Sequence, residues 1–174
     1  VEYYFRSEDE ILDDLERGLF LEAELIHNQQ VSGISIRELK KAVEHHKIAI
    51  NEVDFEGIDN IVEAKPDTIA FLILPPNPEE WMRRLRSRSD MSDEELLNRM
   101  RSTKLILESA EYRTYYKIVV NDDLDVAVDQ VRRIIEDNDY TEQDHQAGLE
   151  AARKLLGSFT QPNSCLLYTS PSPR

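Results

Sequence analysis

Six arginines, Arg83, Arg84, Arg86, Arg88, Arg99 and Arg101, fall within one short stretch of a chain whose formal net charge is −14. Guanidinium groups hold phosphate oxygens in bidentate fashion, so this cluster in an acidic molecule points to a local anion site and to phosphate handling. Two further groups could do chemistry. Glu52-Val53-Asp54 would set two carboxylates on one face if extended, which is costly unless a cation or a ligand donor answers them. Asn121-Asp122-Asp123 closes an apolar run, where an aspartate can either face a ligand or cap the next helix.

The elements that must hold these residues are legible in outline. Asn77 can cap a helix with Pro78 in its first turn and Glu79-Glu80 at its positive end, and this helix carries Arg84 and Arg88 one turn apart. Ser92 with Glu95 has capping-box spacing, which starts a second helix carrying Arg99. A helix, turn and helix so charged costs about 0.2–0.5 kcal/mol per unfavourable pair, which a bound anion would offset. For Arg83, Arg86 and Arg101 a solvated face balanced by Glu79, Glu80, Asp90 and Asp93 to Glu95 suffices; Arg84, Arg88 and Arg99 are the candidates to grip a ligand. Ser7 with Glu10 and Ser35 with Glu38 predict two more capped helices, and Gly18 is placed to end the first in a left-handed conformation. His45 and His46 suit a helix end. A helix after Asp123 should present Val128, Val131, Ile134 and Ile135 on one side, and another should span Thr141 to Leu156.

Apolar runs at Ile48 to Asp54, Ile69 to Leu74 and Tyr116 to Asn121 lack clean alternation, as strands covered on both faces do, and Val1 to Phe5 also reads as a strand. Strands alternating with helices imply an α/β fold with a parallel sheet. In such sheets ligands sit beyond the carboxyl ends of the strands, where Glu52, Asp54 and Asn121 fall. With 174 residues, 40% hydrophobic and 32% charged, one globular domain is expected. The acidic balance, with a sequence pI near 4.7, argues against broad nucleic-acid or anionic-membrane binding. No apolar run is long enough for a bilayer and no secretory signal is seen, so a cytoplasmic location is the default. Cys165 is the sole cysteine, which leaves neither a disulfide framework nor a cysteine zinc site. The four histidines show no ligand spacing. Residues 160–174 hold no acidic residue but three of the seven prolines; their last part, Cys165 to Arg174, resembles translated adapter sequence, and 160–174 is expected to be a non-native tail.

These pieces, in this order, resemble the guanylate kinase family: Glu2-Tyr-Tyr-Phe5, Gly18-Leu-Phe-Leu-Glu22, Glu52-Val-Asp-Phe-Glu-Gly57, Leu74-Pro-Pro76, Arg84-Leu-Arg-Ser-Arg88 with Arg99, and Val119-Val-Asn-Asp-Asp-Leu124. The resemblance runs from Val1 to about Glu136. It implies a P-loop kinase-type parallel sheet flanked by helices within residues 1–159, with a small GMP-binding subdomain at 1–46 and a helical lid at 77–105. It also implies transfer of the ATP γ-phosphoryl group to GMP with Mg²⁺ neutralising the phosphates, by a monomer or homodimer. By the same resemblance Tyr3 bonds the GMP phosphate, Glu22 accepts from guanine N1 and the exocyclic amine, and Glu52 and Asp54 form an acidic pair near guanine and the metal-bound phosphates. Asp54 would touch the metal only indirectly, and no direct metal ligand is assigned. Arg84, Arg88 and Arg99 become the catalytic arginines, Arg84 and Arg88 also holding ATP, and Asn121 lies on the adenine side.

Two departures from the family pattern carry consequences. Where the family has Tyr-Tyr-Gly followed by Ser or Thr, this chain reads Gln30-Val31-Ser32-Gly33-Ile34, so Ser32 replaces a phosphate-binding tyrosine. None of the glycines begins or completes Gly-x-x-x-x-Gly-Lys-Ser/Thr, the loop that cradles donor phosphates. The chain is accordingly expected to be an N-terminally truncated kinase, inactive alone. The alternative is a non-catalytic guanylate-kinase-like domain that binds other proteins.

Overall fold

The computed structural model describes residues 4–26, 30–53, 55, 57–88 and 91–160. It divides into two compact units, Val1–Thr68 and Ile69–Arg174.

The first unit begins with helix α1, Glu8–Glu16. Both halves of the expected capping box form: Ser7 Oγ accepts from the Glu10 N–H at 3.4 Å, and Glu10 Oε2 accepts from the Ser7 N–H at 3.0 Å. Gly18 follows at φ +63°, a conformation that costs glycine little. The chain then forms an antiparallel hairpin of β1, Phe20–Ile26, and β2, Gln30–Ser35, with a register irregularity between Phe20 and Glu22. Helix α2, Ile36–Glu44, starts at Ser35 as expected, but the Ser35 side chain makes no capping bond. Glu38 instead accepts from Lys41 at 2.7 Å, since an i,i+3 cation is in reach on the same face. His45 ends α2 and His46 takes φ +53°. Helix α3, Gly57–Ala64, buries Gly57, Ile58 and Ile61.

A buried carboxylate binds α1 to its surroundings. The Asp14 side chain is 6% exposed and pairs with Arg6 at 3.0 Å and with Arg37 of α2. Two cations satisfy a charge whose burial alone would be costly.

The strand expected over Ile48 to Asp54 does not form. Residues 47–53 have no regular structure, and Ile48 and Ile50 are 64% and 81% exposed. An apolar run becomes a strand only where a neighbour takes up its backbone hydrogen bonds, and among the described residues none pairs with it. Tyr4 and Phe5 are likewise without regular structure; Val1 to Tyr3 and Asp54 lie outside the described residues.

The second unit contains the parallel pair β3, Ala70–Leu74, and β4, Tyr116–Val120, in register from Ala70 opposite Tyr116 to Leu74 opposite Val120. Between them run α4, Pro78–Arg88, and α5, Asp93–Ser109; after them come α6, Leu124–Asp137, and α7, Glu142–Thr160. A parallel pair flanked by helices is the α/β architecture that the alternating pattern implies. The Ser92–Glu95 capping box is complete, with bonds of 3.2 and 2.9 Å.

Met82 of α4 meets Leu96 and Met100 of α5, and Trp81, Leu85, Met91 and Phe159 pack around them. Trp81 and Phe159 meet edge to face at 5.0 Å, a favoured aromatic geometry. On α6 the inward stripe is Ala127, Val131 and Ile134 against Val119. Val128 is 55% exposed, contrary to the expected face, because the stripe that meets β4 runs at i, i+4, i+7 from Ala127.

Helix α7 packs on the core, burying Leu149, Ala152 and Leu155. It is longer than expected and starts from a box of Thr141 and Asp144, with bonds of 2.8 and 3.1 Å. An added Cβ at Gly148 would lie 2.5 Å from Ile118 Cβ, and Ile118 is only 2% exposed. Gly148→Ala is therefore expected to lower stability by roughly 1–3 kcal/mol through overpacking, more than the up to ~1 kcal/mol that alanine gains in a helix. Thermal unfolding of the two chains checks this.

Candidate functional site

The candidate residues divide between the units, and each group is described in its own frame. In the first unit Glu22 sits in β1 opposite Ile34 of β2, and Ser32 lies opposite Glu24. Directly opposed residues share a face and alternate residues return to it, so Glu22 and Ser32 stand on one side of the hairpin as diagonal neighbours. Both are partly buried. That placement suits groups meant to meet a small ligand rather than bulk water. Glu52 is exposed and lies outside any strand, so the strand expected to present it is not formed. Tyr3 and Asp54 lie outside the described residues.

In the second unit Arg84 reaches from α4 to the end of β4. Its Nη1 donates to the Asn121 carbonyl oxygen at 3.0 Å, and its Nε donates to Glu80 Oε1 at 2.5 Å. The Asn121 N–H in turn donates to the Leu74 carbonyl at 2.7 Å, continuing the ladder one step past the strands. Arg84 and Asn121, both expected near ATP, are thus brought together at the carboxyl end of the parallel pair. The contact uses the backbone of Asn121.

Glu80 serves two arginines. Arg83 grips it through Nε and Nη2, each at 2.6 Å, so Arg83 belongs to the balanced face as expected. For Arg84 the balancing role of Glu80, set aside in the sequence, is present as well. The N–H of Glu80 donates to Asn77 Oδ1 at 2.8 Å, forming the expected cap. Hydrogen bonds from Arg83 and then Arg84 hold the Glu80 carboxyl at about 2, below its ordinary 4.5.

A depressed carboxyl contributes stability that is complete above its unfolded value and is lost as pH falls through the folded one. The Glu80 contribution should therefore persist down to about pH 4.5 and vanish near pH 2. Carboxyl titration by ¹³C NMR is expected to show a Glu80 midpoint near 2, and Arg83→Ala is expected to raise it.

Arg99 is exposed on α5, one turn beyond Glu95. The Glu95 carboxyl lies below its usual range, first through the two Ser92 hydrogen bonds and then through the Arg99 charge. Arg101 donates to Asn98 at 3.2 Å. Arg88 closes α4, and its side chain lies outside the described set. Asp123 takes the capping alternative, Oδ1 accepting from the Val126 N–H at 3.0 Å.

Two residues that shape the site were not singled out for it in the sequence. Glu80 as the partner of Arg84 was open to detection, since the two stand at i,i+4. Gly57 as the neighbour of the Glu22 side chain was not, because the contact joins residues 35 positions apart. Among the described residues no group of three or more His, Cys, Asp or Glu forms a metal centre, and no helix is long and apolar enough to cross a membrane.

The guanylate kinase family model matches residues 1–138. A guanylate kinase of Caldanaerobacter subterraneus subsp. tengcongensis is 32% identical over 134 residues, covering 76% of this chain and 63% of its own length. The guanylate kinase of Cereibacter sphaeroides is 33% identical over 162 residues, covering 91% of this chain and 74% of the relative. The chain thus spans less than two thirds of the first of these proteins. The crystal structure of guanylate kinase from Anaplasma phagocytophilum superposes with a TM-score of 0.56 at 20% identity, over 86% of this chain and 71% of that one, a likeness of fold. With the family model covering most of its length, the chain belongs to the guanylate kinase family.

Proposed function

We propose that this chain contributes the acceptor-binding and lid residues of a kinase that transfers the γ-phosphoryl group of ATP to GMP, giving ADP and GDP in purine nucleotide metabolism. The observation that carries this reading is the partly buried Glu22 on the same hairpin face as Ser32. Guanine offers two adjacent donors, N1–H and the exocyclic amine, to a carboxylate; adenine offers an acceptor at N1. A carboxylate accepts only, so Glu22 favours guanine and leaves adenine with an unsatisfied pair, which is how a polar site rejects a near analogue.

In this reading a GMP phosphate oxygen attacks the γ-phosphorus while the bond to the β,γ-bridging oxygen breaks and ADP departs. Arg84, Arg88 and Arg99 stabilise the charge on the transferring group, where catalysis is mainly positioning and electrostatics. Tyr3 and Ser32 serve the GMP phosphate, Glu52 and Asp54 the acidic side of the acceptor, and Asn121 the adenine side. Mg²⁺ comes with the ATP phosphates, neutralising them. Calorimetric titration of the natural gene product carrying this chain with GMP, AMP, UMP and dTMP tests the reading: GMP is expected to bind best, and equal or tighter binding of another nucleotide would sink it.

A further inference from the structure

We propose that Gly57 is a positioning residue whose missing side chain seats the Glu22 carboxylate and so sets the preference for guanine. This inference rests on the assignment of Glu22 to the base. A Cβ added at Gly57 would stand 3.0 Å from Glu22 Oε1, 3.2 Å from its Cδ and 3.3 Å from its Cγ. The outer part of the Glu22 side chain therefore lies against the Gly57 Cα, and a methyl group there would press it aside by a few tenths of an ångström.

Conformation does not explain the glycine. The positive-φ glycine among the described residues is Gly18, so Gly57 has a backbone that alanine can adopt. It is also buried as the first residue of α3, where the positive end of the helix dipole favours a neighbouring carboxylate. Space is what the position supplies. Gly33 does the same for the backbone of this residue: a Cβ there would fall 2.7 Å from the Glu22 carbonyl oxygen and 2.9 Å from Phe20 Cδ1. Glu22 is thus given room at its main chain by one glycine and at its side chain by another, and an accepting group must be held to a fraction of an ångström to read two donors.

The test uses Gly57→Ala, Glu22→Ala and the double variant of this chain. Gly57→Ala is expected to move the ¹³C resonance of the Glu22 carboxyl and to weaken GMP binding by roughly ten-fold, with a smaller loss for IMP, which lacks the exocyclic amine. In the Glu22→Ala background, Gly57→Ala should cause no further loss, because the group it displaces is gone. An unmoved Glu22 resonance, or an equal loss of GMP binding in both backgrounds, would overturn the role of Gly57. GMP binding indifferent to Glu22→Ala would overturn the guanine assignment and the consequence for selectivity with it, while the resonance shift would still report the seat.

Discussion

Replacing Glu22 by alanine is expected to weaken GMP binding on the order of 10²-fold, the largest effect foreseen for any single side chain of the first unit. The magnitude follows from two charge-assisted hydrogen bonds, each worth about 1.5–3 kcal/mol and taken at the low end because Glu22 is only partly buried. Glu22 is partly buried in a paired strand, which holds its backbone in place. Glu22→Gln should cost nearly as much, because an amide turned to accept at one atom must present donors at the other. Calorimetry with GMP measures both variants, and unaltered thermal unfolding would separate recognition from folding. Retention of the parent affinity in Glu22→Ala would remove the basis for guanine selectivity.

Arg99→Ala is expected to lower kcat on the order of 10²-fold in the natural gene product while KM for GMP changes by no more than about 3-fold. The side chain is exposed on α5, so its removal should leave the packing of Met82, Leu96 and Met100 intact. A group that binds only the charge developing on the transferring phosphoryl lowers kcat and kcat/KM together. Arg84→Ala should combine that loss with a weaker hold of α4 on the end of β4, since Arg84 also bonds the Asn121 carbonyl. Steady-state kinetics with a melting curve distinguishes the two. An Arg99→Ala enzyme with full kcat would remove Arg99 from the catalytic group.

What could be read in advance was local. The boxes at Ser7 and Ser92 and the cap at Asn77 join residues three apart, and residue type with spacing is enough to specify them. Gly18 was legible for the same reason. The hairpin of Phe20–Ile26 and Gln30–Ser35 is not among the strands the sequence predicts, because the intervening His27-Asn28-Gln29 carries none of the Asn-Gly or Asp-Gly signals of a tight turn. The opposite error occurred at Ile48 to Asp54, where residue type favours a strand but pairing, a property of the neighbours, decides.

Ser35 with Glu38 shows how a correct helix start can come with the wrong bond, since Lys41 competes for the glutamate. In the site, the family resemblance pointed to Glu22 and the clustering of arginines to Arg84, whereas their supports did not announce themselves. Gly57 beside Glu22 and Asn121 beneath Arg84 arise from contacts distant in sequence, which only the folded chain creates.

The most direct test of the account is phosphoryl transfer itself. The natural gene product carrying this chain, given ATP, Mg²⁺ and GMP, should yield GDP and ADP in equal amounts by ³¹P NMR, with no diphosphate formed when AMP replaces GMP at the same concentration. Failure to form GDP, or equal turnover of AMP, would contradict it.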